Sequence, residues 1–210
     1  IIGMGGSILG SKTIYSFLKH KIKKNFKFID NLDVNNFSSL SKDKKQNNIF
    51  ISKSGNTIET MVNLNFIIKR KNSAKNIFVT EFKNSALLQI ANRLKSEIIE
   101  HKDYIGGRYS VMSEVGMLPA ELMNLKTKNF KNLNYLINNK NFCSSLISNV
   151  SSIYSLFLSG KKNSIILNYD TDMNDFCLWY QQLVGESLGK NNKGILPIIS
   201  TMPKDNHSLL

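Results

Sequence analysis

Ile49-Phe50-Ile51 followed by Ser52-Lys53-Ser54-Gly55-Asn56-Thr57-Ile58-Glu59-Thr60 reads as strand, turn and helix. The apolar run is short and rich in β-branched and aromatic side chains, as a parallel strand buried on both faces requires. Met61, Leu64, Ile67 and Ile68 then recur at helical spacing, which predicts a helix over 57–70. Gly55 and Asn56 tolerate the positive φ of a tight turn, and Ser52, Ser54 and Thr57 bring hydroxyls beside the unpaired N–H groups of a helix start. Such a corner holds phosphate with fixed dipoles and neutral donors, so a dianion needs no arginine fork. The same residues would equally suit an ordinary Ser/Gly turn with Thr57 as the helix cap.

Upstream, Ile1-Ile2-Gly3-Met4-Gly5-Gly6-Ser7-Ile8 repeats this grammar: a strand end, a glycine turn, then a helix through Ile14, Phe17 and Leu18. Its glycines admit a ligand close to the backbone, and Ser7 donates from the helix start. It is not a dinucleotide fingerprint, whose third glycine would fall at position 8, where Ile stands. Apolar runs at 26–29, 48–51, 76–79 and 97–99 predict further strands, with helices near 34–40, 57–70 and 85–94. Strands alternating with helices mean α/β: a parallel sheet between two helical layers. Ligands gather at the carboxyl ends of such strands, where Ser7 and the 52–60 loop both lie.

Gly106-Gly107-Arg108-Tyr109-Ser110 delivers an arginine from a glycine-pinned loop just before an apolar helix over 114–123. An arginine so held suits developing negative charge, although a surface arginine in a flexible loop would look the same. From 130 to about 158 the pattern is helical and polar-rich. A strand over 164–169, an amphipathic helix carrying Phe176, Trp179, Tyr180, Leu183 and Val184, and a strand over 195–200 then begin a second α/β unit, with 205–208 in a loop after Pro203. The expected division is 1–125, a connecting helical region over 126–160, and 161–210. Gln182 and Glu186 share one helical face. Glu186 stands at the helix C-terminus, where the macrodipole disfavours a negative charge, a setting suited to a proton shuttle. A solvated Glu pairing with Lys190 at i+4 is the plainer alternative.

A 41% hydrophobic content excludes disorder, and no run of about 18 apolar residues exists for a membrane span. The chain opens at Ile1 in what reads as a strand end and stops at Leu210 within an unfinished unit, so a fragment is expected. A net charge of +13 and a pI near 9.7 raise nucleic-acid binding, with 19–27, 42–45 and 69–75 as patches. The lysines fall between predicted elements instead of along one helical face, which favours a solvated surface. Cys143 and Cys177 show no CxxC spacing and imply reduced thiols in a cytoplasmic protein. His20, His101 and His207 are scattered and give no metal site.

Gly5-Gly6-Ser7, Ser52 to Thr60, Gly106 to Ser110 and Gln182 to Lys190 together, in this order, resemble the signature segments of the glucose-6-phosphate isomerase family. That resemblance implies two sugar-isomerase (SIS, flavodoxin-like) subdomains and cofactor-free interconversion of glucose 6-phosphate and fructose 6-phosphate. It implies substrate phosphate on Ser52, Ser54 and Thr57, with Ser7 and the Lys53 backbone nearby. It also implies Arg108 as stabiliser of a cis-enediolate, Glu186 as the base between C1 and C2, Gly107 and Gln182 as substrate contacts and His207 as a helper in ring opening. In the family this histidine enters the neighbouring subunit's pocket, so a homodimer is implied. The family's ring-opening lysine near its C-terminus has no counterpart before Leu210, and Lys190 is not it. Two rivals share the fold: a phosphosugar sensor without catalysis, which needs neither Arg108 nor Glu186, and a dual glucose/mannose phosphate isomerase.

Overall fold

The computed structural model describes residues 1–33, 46–69, 75–191 and 193–208. The helix expected near 34–40 and the lysines of 42–45 lie outside the described residues. The chain divides into two compact units, Ile1–Leu125 and Lys126–Leu210, so residues 126–160 belong to the second.

In the first unit, β1 (Asn47–Ile51), β2 (Lys75–Thr80) and β3 (Glu97–Glu100) form a parallel sheet in that order. Ile2 extends it on the other side: it bridges Phe50 and Ile29 in parallel, its N–H donates to Ile49 O at 2.8 Å and its carbonyl accepts from Ile51 N at 2.8 Å. The order across the sheet is therefore Ile29, Ile2, β1, β2, β3. That is the 2-1-3-4-5 order of flavodoxin-like sheets, whose ligand crevice opens between the first and third segments, beyond their carboxyl ends. The strand expected over 26–29 shrinks to one bridge at Ile29. Among the described residues Ile29 pairs with Ile2 alone, while Phe26 and Phe28 pack their rings against Tyr15 at 5.9 and 5.4 Å.

Helices α1 (Leu9–Leu18), α2 (Ile58–Lys69), α3 (Ala86–Arg93) and α4 (Glu114–Leu122) flank this sheet. Ile2, Ile29, Phe50 and Phe78 from the sheet meet Leu64 and Ile67 of α2 and Leu87 and Ala91 of α3 in one buried cluster. The Phe50 and Phe78 rings stack at 5.1 Å across the β1–β2 register. Each large side chain so buried contributes about 1.5–3 kcal/mol, which makes the strand positions hard to shift. Helix starts follow local chemistry: Ser85 and Ser113 accept from Leu88 N and Val115 N as the caps of α3 and α4.

The second unit runs α5 (Asn134–Ile137), α6 (Lys140–Leu158), β4 (Asn163–Asn168), α7 (Asn174–Leu188), β5 (Leu196–Thr201) and α8 (Asp205–Ser208). β4 and β5 pair in parallel, with Ile165 opposite Ile198. Two expectations are corrected here. The helical stretch over 130–158 is broken, because Asn139 leaves the helix to cap α6, accepting from Phe142 N at 3.1 Å. Residues 205–208 are a helical turn instead of a loop, since the Asp205 carboxylate accepts from Thr201 N at 2.6 Å and Ser200 Oγ at 3.1 Å and so anchors the turn's start. Cys143 and Cys177 are both free thiols. Among the described residues no helix is long and apolar enough to cross a membrane.

Candidate active site

Three loops at the carboxyl end of the first unit's sheet carry the chemistry-bearing residues. The first follows Ile2. Gly3 lies against β1, where an added Cβ would come within 3.0 Å of Ile51 O, and Gly5 takes a φ of +52° that opens a 3₁₀ turn over Gly5–Ser7. Ser7 thus arrives at the start of α1, beside the end of β1.

The second loop follows β1. Ser52 is buried, and its Oγ stands 2.9 Å from Thr57 Oγ1 while accepting from Gly55 N at 3.2 Å. Gly55 has a φ of +66°, and a Cβ there would approach Ser85 Cβ to 2.7 Å and Thr80 Oγ1 to 2.9 Å, so glycine is required twice over. Ser54 is exposed, with its Oγ accepting from Asn56 N at 3.3 Å. Asn56 ties the loop to α3: its Oδ1 accepts from Ala86 N at 3.0 Å, and Gly55 O accepts from Leu87 N at 2.9 Å. The loop is therefore held from below, while Ser54, exposed, and Thr57, half-exposed, stand at its rim beside the start of α2. The first-turn amides of a helix have no intrahelical acceptor, and the macrodipole adds partial positive charge there.

The third loop carries Gly106, Gly107 and Arg108. The flexible loop considered for Arg108 is instead a 3₁₀ helix over Gly107–Met112. The Arg108 guanidinium lies 4.8 Å over the Tyr109 ring, a cation–π contact that pre-aims the charge. This loop is packed on the first: a Cβ on Gly6 would meet the Gly107 carbonyl carbon at 2.5 Å and Arg108 N at 2.6 Å. Ser110, fully buried, donates to Gly107 O at 2.6 Å and also reaches Gly6 O at 3.5 Å. The first unit thus gathers Ser7, Ser52, Lys53, Ser54, Thr57, Gly107 and Arg108 onto one end of one sheet.

In the second unit, Gln182 and Glu186 share a face of α7, and Gln182 Nε2 donates to Glu186 Oε2 at 3.2 Å. Gln182 Oε1 is buried and has no hydrogen-bond donor among the described residues. Leaving a buried acceptor unmet costs about 1–3 kcal/mol, a deficit that a hydroxyl-bearing ligand would remove. Glu186 itself is exposed. His207 stands exposed on α8, a separate element from α7. Among the described residues no cluster of three His, Cys, Asp or Glu has the arrangement of a metal site.

Sequence reasoning passed over Glu81 and Ser110, and it read Asn56 as a positive-φ turn residue where its structural role is the tie to Ala86 N. Glu81, directly after β2, forms ion pairs with Lys53 at 3.5 Å and Lys83 at 3.0 Å. Its position at a strand's carboxyl end was the available signal. Ser110 was in view within the Gly106–Ser110 segment, but its partner Gly6 lies 104 residues away.

Comparisons with known proteins agree with the fold. The phosphoglucose isomerase family profile matches residues 1–196. A glucose-6-phosphate isomerase of Methanocaldococcus jannaschii is 36% identical over 221 residues, covering 100% of this chain and 55% of its own length. One from Acholeplasma laidlawii is 34% identical over 230 residues, covering 100% and 54%. The chain therefore spans about half the length of the curated relatives it matches. Among solved structures, a hypothetical protein of Thermus thermophilus superposes with a TM-score of 0.79 at 24% identity, over 99% of this chain and 54% of the other. A tagatose-6-phosphate ketose/aldose isomerase of Escherichia coli gives 0.63 at 15% identity, over 99% and 56%. At these identities the two structures speak for the fold, and the sequence match for the lineage: the chain belongs to the phosphoglucose isomerase family.

Proposed function

We propose that the protein is a glucose-6-phosphate isomerase that interconverts glucose 6-phosphate and fructose 6-phosphate through a cis-enediolate. Ser52, Ser54, Thr57, Ser7 and the Lys53 backbone grip the phosphate at the start of α2. Glu186 removes the proton from C2 of the open aldose, the C1 carbonyl oxygen takes up the negative charge, and Arg108 stabilises the resulting enediolate. The same carboxylate then returns the proton to C1, while the proton of the C2 hydroxyl passes to O1 and C2 becomes the carbonyl. C1 is reduced as C2 is oxidised within one molecule, so the reaction balances without a redox cofactor. Gln182 orients Glu186 through its Nε2 and offers its unmet Oε1 to a sugar hydroxyl. His207 assists ring opening in the partner subunit's pocket, which makes the working form a cytoplasmic homodimer.

The single observation that carries this reading is the paired Ser52 and Thr57 hydroxyls at a helix start, on the crevice of a sheet whose family is that of the isomerases. General acid–base transfer supplies about 10²- to 10⁴-fold, and fixed donors around the developing oxyanion supply much of the remainder. A phosphosugar sensor would use the grip alone and has no task for Arg108 or Glu186.

The test is conversion of fructose 6-phosphate in D₂O by the protein expressed from its whole gene, followed by NMR. Glucose 6-phosphate carrying deuterium at C2 is expected, because a proton held on a carboxylate exchanges with solvent. No conversion, or conversion with no deuterium at C2, would overturn the proposal. Turnover of mannose 6-phosphate in the same assay would mark dual specificity.

A further inference from the structure

Lys53 has a side chain that the phosphate grip does not use. Its ammonium donates to Asp103 O at 2.8 Å and Ile105 O at 2.8 Å, and pairs with Glu81 Oε1 at 3.5 Å. An ammonium has three donors, and these three acceptors occupy them. The two carbonyls belong to the stretch that runs from β3 into Gly106-Gly107-Arg108, and Lys53 sits one residue after the buried Ser52. Glu81 is itself held from outside by Lys83, whose Nζ lies 3.0 Å from Oε2. The backbone agrees with the side chains: Glu81 N donates to Lys53 O at 3.1 Å, and Thr80 Oγ1 donates to the same carbonyl at 3.3 Å. Lys53 therefore joins the end of β1, the end of β2 and the approach to the arginine loop at one point.

We propose that Lys53 and Glu81 are positioning residues: the Glu81-anchored ammonium of Lys53 ties the phosphate loop to the Arg108 loop and so sets where the guanidinium meets the enediolate. Resting on the isomerase reading above, this gives Lys53 a role unlike that of a phosphate cation. A cation on the phosphate binds substrate and transition state alike, and its loss raises KM. A tether to Arg108 acts where charge develops, and its loss lowers kcat.

The experiment compares Lys53→Met, Glu81→Gln and the double variant with the parent, all expressed from the whole gene. Three readouts are used: steady-state kinetics, binding of the unreactive hexitol phosphate sorbitol 6-phosphate, and amide hydrogen exchange. Lys53→Met is expected to lower kcat roughly 10- to 100-fold with KM and hexitol-phosphate affinity within about threefold, and to speed exchange at residues 103–110. Glu81→Gln should show a smaller loss of the same kind, and the double variant should be no worse than Lys53→Met, as expected for residues acting as one unit. Lys53→Arg, which keeps the charge, should recover part of kcat. A KM or binding loss equal to the kcat loss, or unchanged exchange at 103–110, overturns the tether. An inactive parent overturns the isomerase reading alone, because the exchange comparison still decides the tether.

Discussion

The hydroxyls of Ser52 and Thr57 stand 2.9 Å apart across the turn between β1 and α2, one from a buried residue and one half-exposed. This pair joins the residue after the strand to the first turn of the helix, so the proposed anion site and the fold's central corner are the same structure. An alanine at either position removes a strut from the turn, and at Thr57 it also removes a half-exposed hydroxyl.

Thr57→Ala is expected to weaken sugar-phosphate binding about 10- to 100-fold, since a hydrogen bond to a charged group contributes about 1.5–3 kcal/mol. kcat at saturation should fall much less. Calorimetric titration with sorbitol 6-phosphate, beside steady-state kinetics, checks both parts; unchanged affinity would remove Thr57 from the grip.

Glu186→Gln keeps the side chain's shape and a hydrogen-bonding partner for Gln182 but cannot accept the proton. A fall in kcat of about 10²- to 10⁴-fold is expected, with hexitol-phosphate binding retained. Near-normal turnover would take the base role away from Glu186.

Gly55→Ala should destabilise the first unit. The φ of +66° alone costs an L-residue about 1–3 kcal/mol, and the new Cβ would sit 2.7 Å from Ser85 Cβ, on the residue that caps α3. Urea denaturation should show a lower midpoint with loss of phosphosugar binding. Gly107→Ala, where an added Cβ meets nothing within 4 Å, should change stability little and serves as the control.

Glu81 gives stability a pH signature. The Lys83 hydrogen bond, reinforced by the charges of Lys83 and Lys53 and opposed by burial, holds its carboxyl below the ordinary 4.5. A depressed carboxyl pKa contributes stability that is complete above the unfolded value and disappears as pH falls through the folded one. The parent should therefore exceed Glu81→Gln in stability at pH 7, with the gap closing below about pH 4.5, as urea midpoints at pH 7, 5 and 3.5 would measure.

The corner from Ile49 to Thr60 could be read in sequence because everything it needs is local: a strand run, a residue free to take positive φ, then helical spacing. β2, β3, α2, α3 and α4 were legible for the same reason, each within about a residue of its observed bounds. Ile29 was less so, because a strand at a sheet edge depends on what lies beside it and not on its own apolar run. The turn at Asp205–Ser208 likewise depends on Thr201 and Ser200 donating to Asp205, a contact with no periodicity to announce it. Within the site, residue types foretold donors and acids, but Lys53 spends its ammonium on carbonyls 50 and 52 positions away, which no local pattern encodes.

The backbone contact between Gly6 and Gly107 leaves no room for a methyl group on Gly6, and this limits how the crevice can diversify on that side. The first loop has no side chain at that point to lengthen, shorten or swing aside. The approach of the first loop to the backbone of Gly107 and Arg108 is set by main chain against main chain, a dimension that mutation at Gly6 cannot adjust in small steps. The other rim of the crevice, where Ser54 and Asn56 stand in solvent, carries side chains that can change without moving the main chain.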